Sequence, residues 1–586
     1  MIPATAAAPF LGVAQSLSGR RWLGPTADEA RRAEALAQAT RLPPPLCAVL
    51  ARRGVAAGGV ADFLAPSLRA LLPDPMGLRD MGAAADRLLA ALAGRERIAV
   101  FADYDVDGGA SAALLLTWLR SLGHDATLYI PDRIDEGYGP NEAAMAALAA
   151  DHELIVCVDC GTLSHGPVAA ARGADVLVID HHLGGEALPP ALAVVNPNRQ
   201  DESGDLGHLC AAGVVFLLLV EANRRLRGRG VQGPDLMAML DLVALATVAD
   251  VAPLVGVNRA FVRQGLKVMA RRARPGLRAL ADVARLDAPP APYHLGFVLG
   301  PRVNAGGRVG AADLGARLLA TADPAEAARL AAELDRLNEE RRAIEAAVRD
   351  EALAQAEVRG LDGPLVWAAG EGWHPGVIGI VAARLKEAAN RPAVVIALDG
   401  DQGKGSGRSV GGVDLGAAVQ RLAGEGLLLK GGGHRMAAGL TVARARLEAA
   451  MDRLGALLAR QGANAGGAGD LRLDGLLMPG AATPELIDVL ESAGPFGQAA
   501  PAPRFGFAGI AVTQAWTVGA GHLRLRLADS SGPALEAIGF NQADTPLGLA
   551  LRQAGAQRFH VAGRLEINSY GGRNRVQLRL DDAACA

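Results

Sequence analysis

The sequence predicts an α/β protein that ends in a small all-β domain, and three patterns lead to this prediction. Short, nearly continuous apolar segments alternate with helical segments between residues 93 and 315, which is typical of a parallel sheet covered by helices on both faces. A long stretch of helical spacing, from Pro324 to about Val358, leads into a second α/β block. Beyond residue 470 the strands alternate strictly between apolar and polar residues, which favours a small antiparallel barrel.

The predicted domain boundaries follow these changes of pattern. A chain of 586 residues is too long for one typical domain. Residues Gly462–Gly469 are rich in glycine and alanine and predict a flexible linker. We therefore expect an N-terminal helical segment (1–92), a parallel-sheet domain (93–315), a connecting helix (316–358), a second α/β domain (359–461) and a barrel domain (470–586).

The composition is typical of a globular protein in the cytoplasm. Half of the residues are hydrophobic and 21% are charged, which argues against disorder. Five cysteines do not make a disulfide framework in a chain of this length, so we expect a reducing compartment. No basic segment precedes the first apolar stretch, and the apolar run Ala211–Val220 is too short to span a bilayer. We therefore expect no membrane partner.

The charge balance does not by itself indicate a nucleic-acid partner. The 59 basic and 62 acidic residues give a net charge of −3. Only four of the basic residues are lysines, and we interpret the arginine excess mainly as codon bias, because alanine and glycine are abundant too. Since arginine is the better bidentate ligand for phosphate, the positions of the arginines are informative.

Potential metal ligands follow three strands of the predicted parallel sheet. The strands end near Phe101, Val158 and Ile179, and the residues that follow them are Asp103, Asp105, Asp107, Asp159, Asp180, His181 and His182. Because parallel strands end at the same edge of a sheet, these side chains should converge there. Such a cluster needs cations to offset its charge, and its oxygen and imidazole donors suit two Mn²⁺ or Mg²⁺ ions. Two such ions can activate water and stabilise an in-line phosphoryl displacement.

Each of these residues also has an ordinary structural interpretation. A single Asp after a strand is usually a turn former or a helix cap. A lone pair of histidines is more often structural than metal-binding. The DxDxDG pattern resembles part of a calcium loop, but residue 114 is Leu where that loop requires Glu. The combination on three strands of one sheet favours the metal site.

These motifs resemble those of the DHH phosphoesterase superfamily and, within it, the RecJ family of bacterial single-strand DNA exonucleases. The similar segments are ADYDVDG (102–108), CVDCGT (157–162), VIDHH (178–182) and ATVADVAPL (246–254). The resemblance implies a DHH phosphoesterase domain, a DHH-associated domain and a C-terminal OB-fold barrel. It implies that the catalytic metal ligands are Asp103, Asp105, Asp107, Asp159, His181, His182 and Asp250, with Asp180 orienting or ligating.

The resemblance extends over nearly the whole chain. Further similar segments are RRGV (52–55), FLAP (63–66), IPDR (130–133), EGYG (136–139), GPRVNAGGR (300–308), SGRS (406–409), GGGHRMAAG (431–439), PFGQAAPAPRF (495–505) and GRLEINSYGGRNRVQLRL (563–580). Gln498-Ala499-Ala500 departs from the family, which tends to have Gly-Asn. The substrate-binding residues that the resemblance implies are Arg133, Arg302, Asn304, Arg308, Ser406, Arg408, Gly432, Gly433 and His434.

The barrel strands place arginines on one face. Arg524 and Arg526 alternate with leucines, and Arg575 and Arg579 repeat the arrangement. A basic strip of this kind fits a groove that follows a single strand, although a polar outer face would look similar. The few aromatic residues that could stack on bases are Phe505, Phe507, Trp516, Phe540 and Tyr570, and we assign none of them to stacking.

The family resemblance implies a metal-dependent 5′→3′ exonuclease that degrades single-stranded DNA to 5′-mononucleotides in DNA repair and recombination. It implies a bacterial, cytoplasmic, monomeric enzyme that contacts single-strand-binding protein and a RecQ-type helicase. One alternative is a nano-RNase or small-nucleotide phosphodiesterase of the same superfamily, against which the barrel argues. Another is a non-catalytic replication scaffold, against which the retained Asp and His residues argue.

Overall fold

A computed structural model of the chain describes residues 8–133, 136–137, 139–463, 469–529, 532–568 and 574–586. Within these residues the chain forms two compact units. The terminal unit comprises Met1–Pro66, Ala465–Phe496 and Ala500–Ala586, and the central unit comprises Ser67–Asn464 and Gly497–Ala499. The predicted linker residues 464–468 lie outside the described residues.

The terminal unit begins with a short strand and three helices. These are β1 (Trp22–Leu23), α1 (Ala27–Thr40), α2 (Pro44–Arg52) and α3 (Val60–Leu64). A capping box between Thr26 and Glu29 starts α1. Proline fits the first position of a helix, where its missing N–H is not needed, so the proline run ends one helix and starts the next.

The predicted N-terminal segment, residues 1–92, is divided between the two units after Pro66. Leu46 and Leu50 pack in the same core as Phe505 of the C-terminal region. Met81 and Leu88, in contrast, lie in the core of the central unit. Helical spacing predicts an apolar face, but it does not tell which core receives that face.

The first sheet of the central unit is parallel throughout, as predicted. Its elements and the helices around them are α4 (Leu68–Leu71), α5 (Met81–Gly94), β2 (Ile98–Ala102), α6 (Val106–Ser121), β3 (Ala126–Tyr129), α7 (Glu142–Asp151), β4 (Leu154–Val158), α8 (His165–Ala170), β5 (Asp175–Ile179) and β6 (Ala193–Val195). The strand order is β3-β2-β4-β5-β6. Every residue of β2 and β4 is buried, which explains their continuous apolar sequences.

A set of helices follows this sheet and includes the long connecting helix. They are α9 (Ala211–Gly228), α10 (Leu240–Ala249), α11 (Gly256–Met269), α12 (Pro275–Val283), α13 (Pro292–His294), a π-helical turn (Leu295–Leu299), α14 (Gly300–Val309), α15 (Leu314–Ala320) and α16 (Pro324–Arg359). Asp323 caps the start of α16 and Gly360, with φ 95°, follows its end. Short 3-10 turns occur elsewhere, at Phe10–Gly12, Ala57–Gly59, Pro75–Gly77, Leu236–Met239, Arg444–Arg446 and Pro479–Ala481.

The two halves of α16 belong to different hydrophobic cores. Leu330 and Leu334 pack with the first sheet and its helices. Val348 and Ala352 pack under the second sheet. The helix therefore joins two lobes of the central unit rather than lying on the surface of one.

The second lobe contains a mixed five-stranded sheet. Its elements are β7 (Val366–Glu371), α17 (Ile378–Ala389), β8 (Ala393–Asp399), β9 (Gln402–Arg408), α18 (Leu415–Gly424), β10 (Lys430–His434), β11 (Ala437–Ala443) and α19 (Leu447–Arg460). The order is β10-β11-β9-β8-β7, and only β7 and β8 are parallel within the described part of this sheet.

The C-terminal region closes into the predicted barrel. Its elements are β12 (Leu471–Arg472), β13 (Gly475–Leu476), α20 (Pro484–Glu491), β14 (Phe505–Val518), β15 (His522–Ala528), β16 (Leu535–Gly539), α21 (Pro546–Arg552), β17 (Arg558–Asn568) and β18 (Arg575–Cys585). Pairing of β14 with β17 closes the order β14-β15-β16-β18-β17. The barrel is not antiparallel throughout, as we expected it to be, because β16 and β18 pair in parallel. Leu523, Leu525 and Leu527 are buried, as the alternation predicts. Of the segment 563–580 that resembles the family, residues 569–573 lie outside the described residues.

Among the described residues, no helix is both long and apolar enough to span a membrane.

Candidate active site

The ends of β2, β4 and β5 bring the predicted acidic residues and histidines together. Nε2 of His181 lies 3.2 Å from Oδ1 of Asp159 and 3.6 Å from Oδ2 of Asp107. It also lies 3.9 Å from Oδ2 of Asp250, which follows α10. Asp250, which the sequence patterns alone did not select, thus belongs to the same cluster as the strand-end residues.

Local backbone geometry explains the spacing of the first motif. Asp105 caps α6, since its Oδ1 accepts hydrogen bonds from the N–H groups of Asp107 and Gly108. A Cβ at Gly108 would lie 2.4 Å from the carbonyl oxygen of Asp103, so only glycine lets the helix start so close to β2. Asp107 is held in turn by the N–H groups of Ala211 and of the next residue at the start of α9.

Three overlapping groups of side chains have the donors and spacing of a metal site. In each group the candidate ligand atoms lie within 4.8 Å of one another; the groups are Asp159, His181 and His182; Asp107, His181 and Asp250; and Asp103, Asp105 and Asp159. In addition, Oδ1 of Asp103 is buried and has no hydrogen-bond partner among the described residues. A buried carboxylate oxygen without a partner is costly unless a cation binds it, so these residues fit divalent ions.

Burial and mutual repulsion raise the pKa values of several carboxyl groups in this cluster. Burial, together with the charge of Asp105, raises the pKa of Asp103 well above its ordinary value. Burial and the neighbouring carboxylates also raise the pKa of Asp159 well above its ordinary value and that of Asp250 to about 8. Divalent cations would favour the ionised forms of all three.

Asp180 is engaged by neighbouring donors on both oxygens. Oδ1 accepts from Nδ1 of His182 at 2.8 Å and from the N–H of His181, and Oδ2 accepts from both the hydroxyl and the N–H of Thr162. Burial alone would raise the pKa of Asp180, but these hydrogen bonds outweigh burial and lower it. Asp180 is absent from the three ligand groups, so the contacts favour orientation rather than ligation.

The sequence analysis missed residues that support Asp180. The hydroxyl of Thr162 accepts from Nδ2 of Asn196, which also donates to the carbonyl of His182. Asn196 directly follows β6, the fifth strand of the sheet to end at this edge. Applying the strand-end argument to polar amides as well as acids would have found it.

The second lobe completes a cavity of about 600 Å³ around the cluster. Glycine-rich β10 contributes Gly433 and His434 to its wall. The predicted site residues that line it are Asp103, Asp105, Asp107, Arg133, His182, Asp250, Asn304, Arg308, Ser406, Arg408, Gly433 and His434. The carboxylate cluster and the predicted phosphate-binding residues therefore face one space.

The arginines of this cavity lack acidic partners within the described residues. Nη1 of Arg308 donates to the carbonyl of Gly376, and Nη1 of Arg408 donates to the hydroxyl of Ser406. Burial, with the nearby charge of Arg133, lowers the pKa of Arg308 to about 10. Half-buried guanidinium groups without acidic partners favour the binding of an anion such as phosphate.

Two predicted substrate-binding residues do not line the cavity. Nε of Arg302 donates to Asp335 of α16 at 2.8 Å, and its Nη1 donates to the carbonyl of Val298. This arginine therefore fastens two helices together instead of facing the cavity. Gly432 lies within the sheet opposite Gly439 of β11. Sequence spacing places both residues near the site. It does not tell in which direction the side chain of Arg302 points or which way the backbone of Gly432 faces.

The barrel of the terminal unit carries a mixed basic and aromatic surface. Trp516, Arg524, Ile538 and Arg579 are consecutive cross-strand neighbours and so share one face. The guanidinium groups of these two arginines lie over aromatic rings, that of Arg524 over Trp516 and that of Arg579 over Phe540.

The aromatic residues named from the sequence divide between core and surface. Phe505 and Phe507 are buried in the barrel, whereas Trp516 and Phe540 are 38% and 46% exposed. Tyr570 lies outside the described residues. Arg526 is exposed, and Glu536 pairs with both Arg524 and Arg575.

A parallel sheet that ends in a carboxylate and histidine cluster, with Ser406, Arg408 and His434 of a second lobe in the same cavity, is the arrangement of the DHH class of metal-dependent phosphoesterases. The family model described as the DHH family, N-terminal domain, matches residues 97–247. The DHHA1 domain model matches residues 362–460, and the RecJ OB domain model matches residues 473–582. The predicted fold class is therefore confirmed.

Full-length relatives define the family more narrowly. The single-stranded-DNA-specific exonuclease RecJ of Dickeya dadantii is 40% identical over 568 residues, which cover 92% of this chain and 97% of the relative. The crystal structure of RecJ from Thermus thermophilus in complex with Mn²⁺ has a TM-score of 0.81 at 31% identity, covering 96% of this chain and 79% of that one. The same protein in complex with Mg²⁺ has a TM-score of 0.74 at 30% identity, covering 96% and 78%. The chain belongs to the RecJ family of single-stranded-DNA-specific exonucleases.

Proposed function

We propose that this protein is a Mn²⁺- or Mg²⁺-dependent exonuclease that degrades single-stranded DNA from its 5′ end to 5′-mononucleotides. The observation that carries the proposal is the shared cavity, in which the carboxylate cluster faces Arg308, Arg408 and Ser406. A phosphodiester needs both features, since one site must hold the reacting phosphate and another must hold the strand.

The protein groups have distinct roles in this reaction. Asp103, Asp107 and Asp159 would hold one or both ions, together with the remaining residues of the three ligand groups. When bound, two such ions lower the pKa of water and neutralise the charge that develops on the phosphoryl oxygens. Asp180 fixes the orientation of His182. The arginines bind the phosphates and so keep the scissile bond beside the cluster.

Residues of the second lobe would set the direction of digestion by binding the 5′ end of the strand. Arg408, Ser406 and His434 would bind the 5′-terminal phosphate, with Gly433 allowing close approach of the backbone. One nucleotide would then lie between this pocket and the carboxylate cluster. This arrangement supports release of mononucleotides and distinguishes the proposal from a small-nucleotide phosphodiesterase, which has no need of the barrel.

The barrel supplies a second binding surface for the strand. Arg524, Arg526, Arg575 and Arg579 would contact phosphates, and the neighbouring exposed rings offer faces for bases. Stacking and phosphate contacts depend little on sequence, so we expect broad sequence tolerance.

The cellular setting extends the same proposal. The family suggests a monomer in the bacterial cytoplasm that acts in DNA repair and recombination. It suggests single-strand-binding protein and a RecQ-type helicase as partners. The retained Asp and His residues support an active enzyme rather than a replication scaffold.

Replacing one metal ligand tests the proposal. We expect Asp159→Ala to lower Mn²⁺-dependent release of nucleotides from 5′-labelled single strands by at least about 100-fold, since lost transition-state charge stabilisation is costly. The control is Asp151→Ala, which removes an exposed carboxylate at the end of α7. Undiminished hydrolysis by Asp159→Ala would contradict the metal-site assignment.

A further inference from the structure

A second cavity adjoins the one that contains the carboxylate cluster. It has a volume of about 560 Å³ and lies between the π-helical turn, α14, α16 and α17. Asn304 and Arg308 line both cavities. The side chain of Asn304 also accepts a hydrogen bond from the N–H of Val106, next to the first acidic motif. The second cavity is therefore separated from the carboxylate cluster by no more than the side chains of Asn304 and Arg308.

Two aromatic rings form part of the wall of the second cavity. Tyr293 and Phe297 are 59% and 68% exposed, and their ring centroids lie 5.3 Å apart at an interplanar angle of 25°. Tyr293 lies in α13 and Phe297 in the π-helical turn that follows it, and Leu295 and Leu299 of this turn are buried. π-Helical turns are rare and often occur at functional sites. Exposed, stacked rings offer a flat face for another ring to extend the stack.

The second cavity has an excess of positive charge. Its charged side chains are Arg308, Arg341, Arg342, Arg349, Arg384 and Glu345. Glu345 accepts a salt bridge from Arg341 at 2.6 Å and lies 3.7 Å from Arg384. Arg349 pairs with Asp350 at 2.7 Å, and Arg384 pairs with Glu387 at 3.0 Å. Arg308 and Arg342 have no acidic partner among the described residues, and this excess positive charge favours an anionic ligand over an apolar protein partner.

We propose that the second cavity is a binding site for the nucleotides of the substrate strand beside the reacting phosphate, with a base stacked on Tyr293 and Phe297. Flat rings beside multiple guanidinium groups match a ligand that carries both bases and phosphates. The inference rests on the proposed exonuclease function, and it assigns the aromatic pair a part in strand binding.

An abasic-site scan with the full-length protein tests this site. The substrates are 5′-phosphorylated 16-nucleotide strands, either intact or with one abasic residue at each of positions 2–8. For the intact strand we expect Phe297→Ala to raise KM by roughly 10-fold, as the loss of one stacked base would. Phe297→Trp should restore most of the lost affinity, because the larger ring keeps the stacking face. Val358→Ala, at an exposed position near the end of α16, is the control for removal of a surface apolar side chain.

The dependence of KM on the position of the abasic residue distinguishes base stacking from other contacts. In the wild type, an abasic residue at one or two positions should raise KM by a similar factor, and Phe297→Ala should not be sensitive to that same replacement. An unchanged KM for Phe297→Ala, or equal sensitivity of the variant and the wild type at every position, would overturn the inference. If the wild type itself does not degrade the intact strand with Mn²⁺, the proposed function fails instead. Thermal unfolding of each variant confirms that an observed loss is not one of folding.

Discussion

Nδ1 of His182 lies 2.8 Å from Oδ1 of Asp180, and the same carboxylate oxygen accepts from the backbone N–H groups of both histidines. The imidazole is thereby held in one orientation. Burial alone would lower the pKa of His182. The hydrogen bond to Asp180 and the charge of that carboxylate outweigh burial and raise the pKa of His182 to about 9. A histidine held through Nδ1 by a carboxylate presents Nε2 to a metal or phosphate.

Asp180→Asn should lower the rate of hydrolysis more than it lowers strand binding. The amide cannot hold the imidazole electrostatically, so we expect kcat to fall by about 10- to 100-fold, as for other residues that orient metal ligands. KM for a single strand should change little. Steady-state kinetics with Mn²⁺ measure both quantities, and Asp151→Asn is the matched control. A larger change in KM than in kcat would argue against an orienting role.

Removal of divalent ions should make stability depend strongly on pH. The folded-state pKa of Asp250 is raised from 3.8 to about 8, and those of Asp103 and Asp159 are raised too. A carboxyl with a raised pKa contributes stability that is fully present below about pH 4 and is lost as pH rises through the folded value. The Tm of the EDTA-treated protein should therefore fall between about pH 5 and pH 8.

Mn²⁺ should suppress this dependence, because bound cations favour the ionised carboxylates. Differential scanning fluorimetry would then show a larger Tm increase on adding Mn²⁺ at pH 8 than at pH 5. An equal increase at both values, or the same pH slope in an Asp250→Asn variant, would contradict the coupling.

The arginines on the barrel should set part of the salt dependence of binding. Each phosphate contact contributes about 0.7 to the slope of log K against log salt for single strands. If Arg524 and Arg579 each contact a phosphate, replacing both with Gln should reduce the slope by about 1.4. Fluorescence anisotropy with a labelled strand measures this slope, with Arg31→Gln on exposed α1 as the control. A slope equal to that of the wild type would exclude these residues from the binding path.

Trp22→Phe should destabilise the terminal unit. Nε1 of Trp22 donates to Oδ2 of fully buried Asp582 at 2.9 Å. Loss of this donor leaves a buried carboxylate oxygen unsatisfied, which should lower the free energy of unfolding by about 1–3 kcal/mol. Denaturant unfolding followed by far-UV circular dichroism measures the change. Trp516→Phe, on the partly exposed barrel face, should change it by less than about 0.5 kcal/mol.

The parts of the site that could be predicted from sequence are those that depend on one strand and the residue after it. Leu154–Val158 is buried on both faces, so its apolar sequence marks it as a central strand, and Asp159 follows at the predicted edge. Helix α16 is equally local, since its spacing and its cap are continuous in the chain. These features require no knowledge of distant contacts.

Other parts depend on which distant segments meet. Arg302 lies in a glycine- and asparagine-rich segment typical of phosphate binding, but Asp335, on another helix, determines its role. The sequence around Tyr293 and Phe297 does not tell whether these two aromatic residues form an exposed stacked pair or part of the core. The division of the N-terminal segment at Pro66 likewise depends on contacts with residues beyond 465.

Strand β1 pairs in parallel with β12, and Arg21 bonds to Asp470, 449 residues later in the chain. On a ribosome that adds about 5–20 residues per second, these partners emerge roughly 20–90 s apart. Helices α1–α3 precede the central unit in the chain, and their apolar faces stay uncovered until the strands beyond residue 470 have been synthesised. The central unit can fold in the meantime, so residues that are synthesised before it reach their native contacts after it.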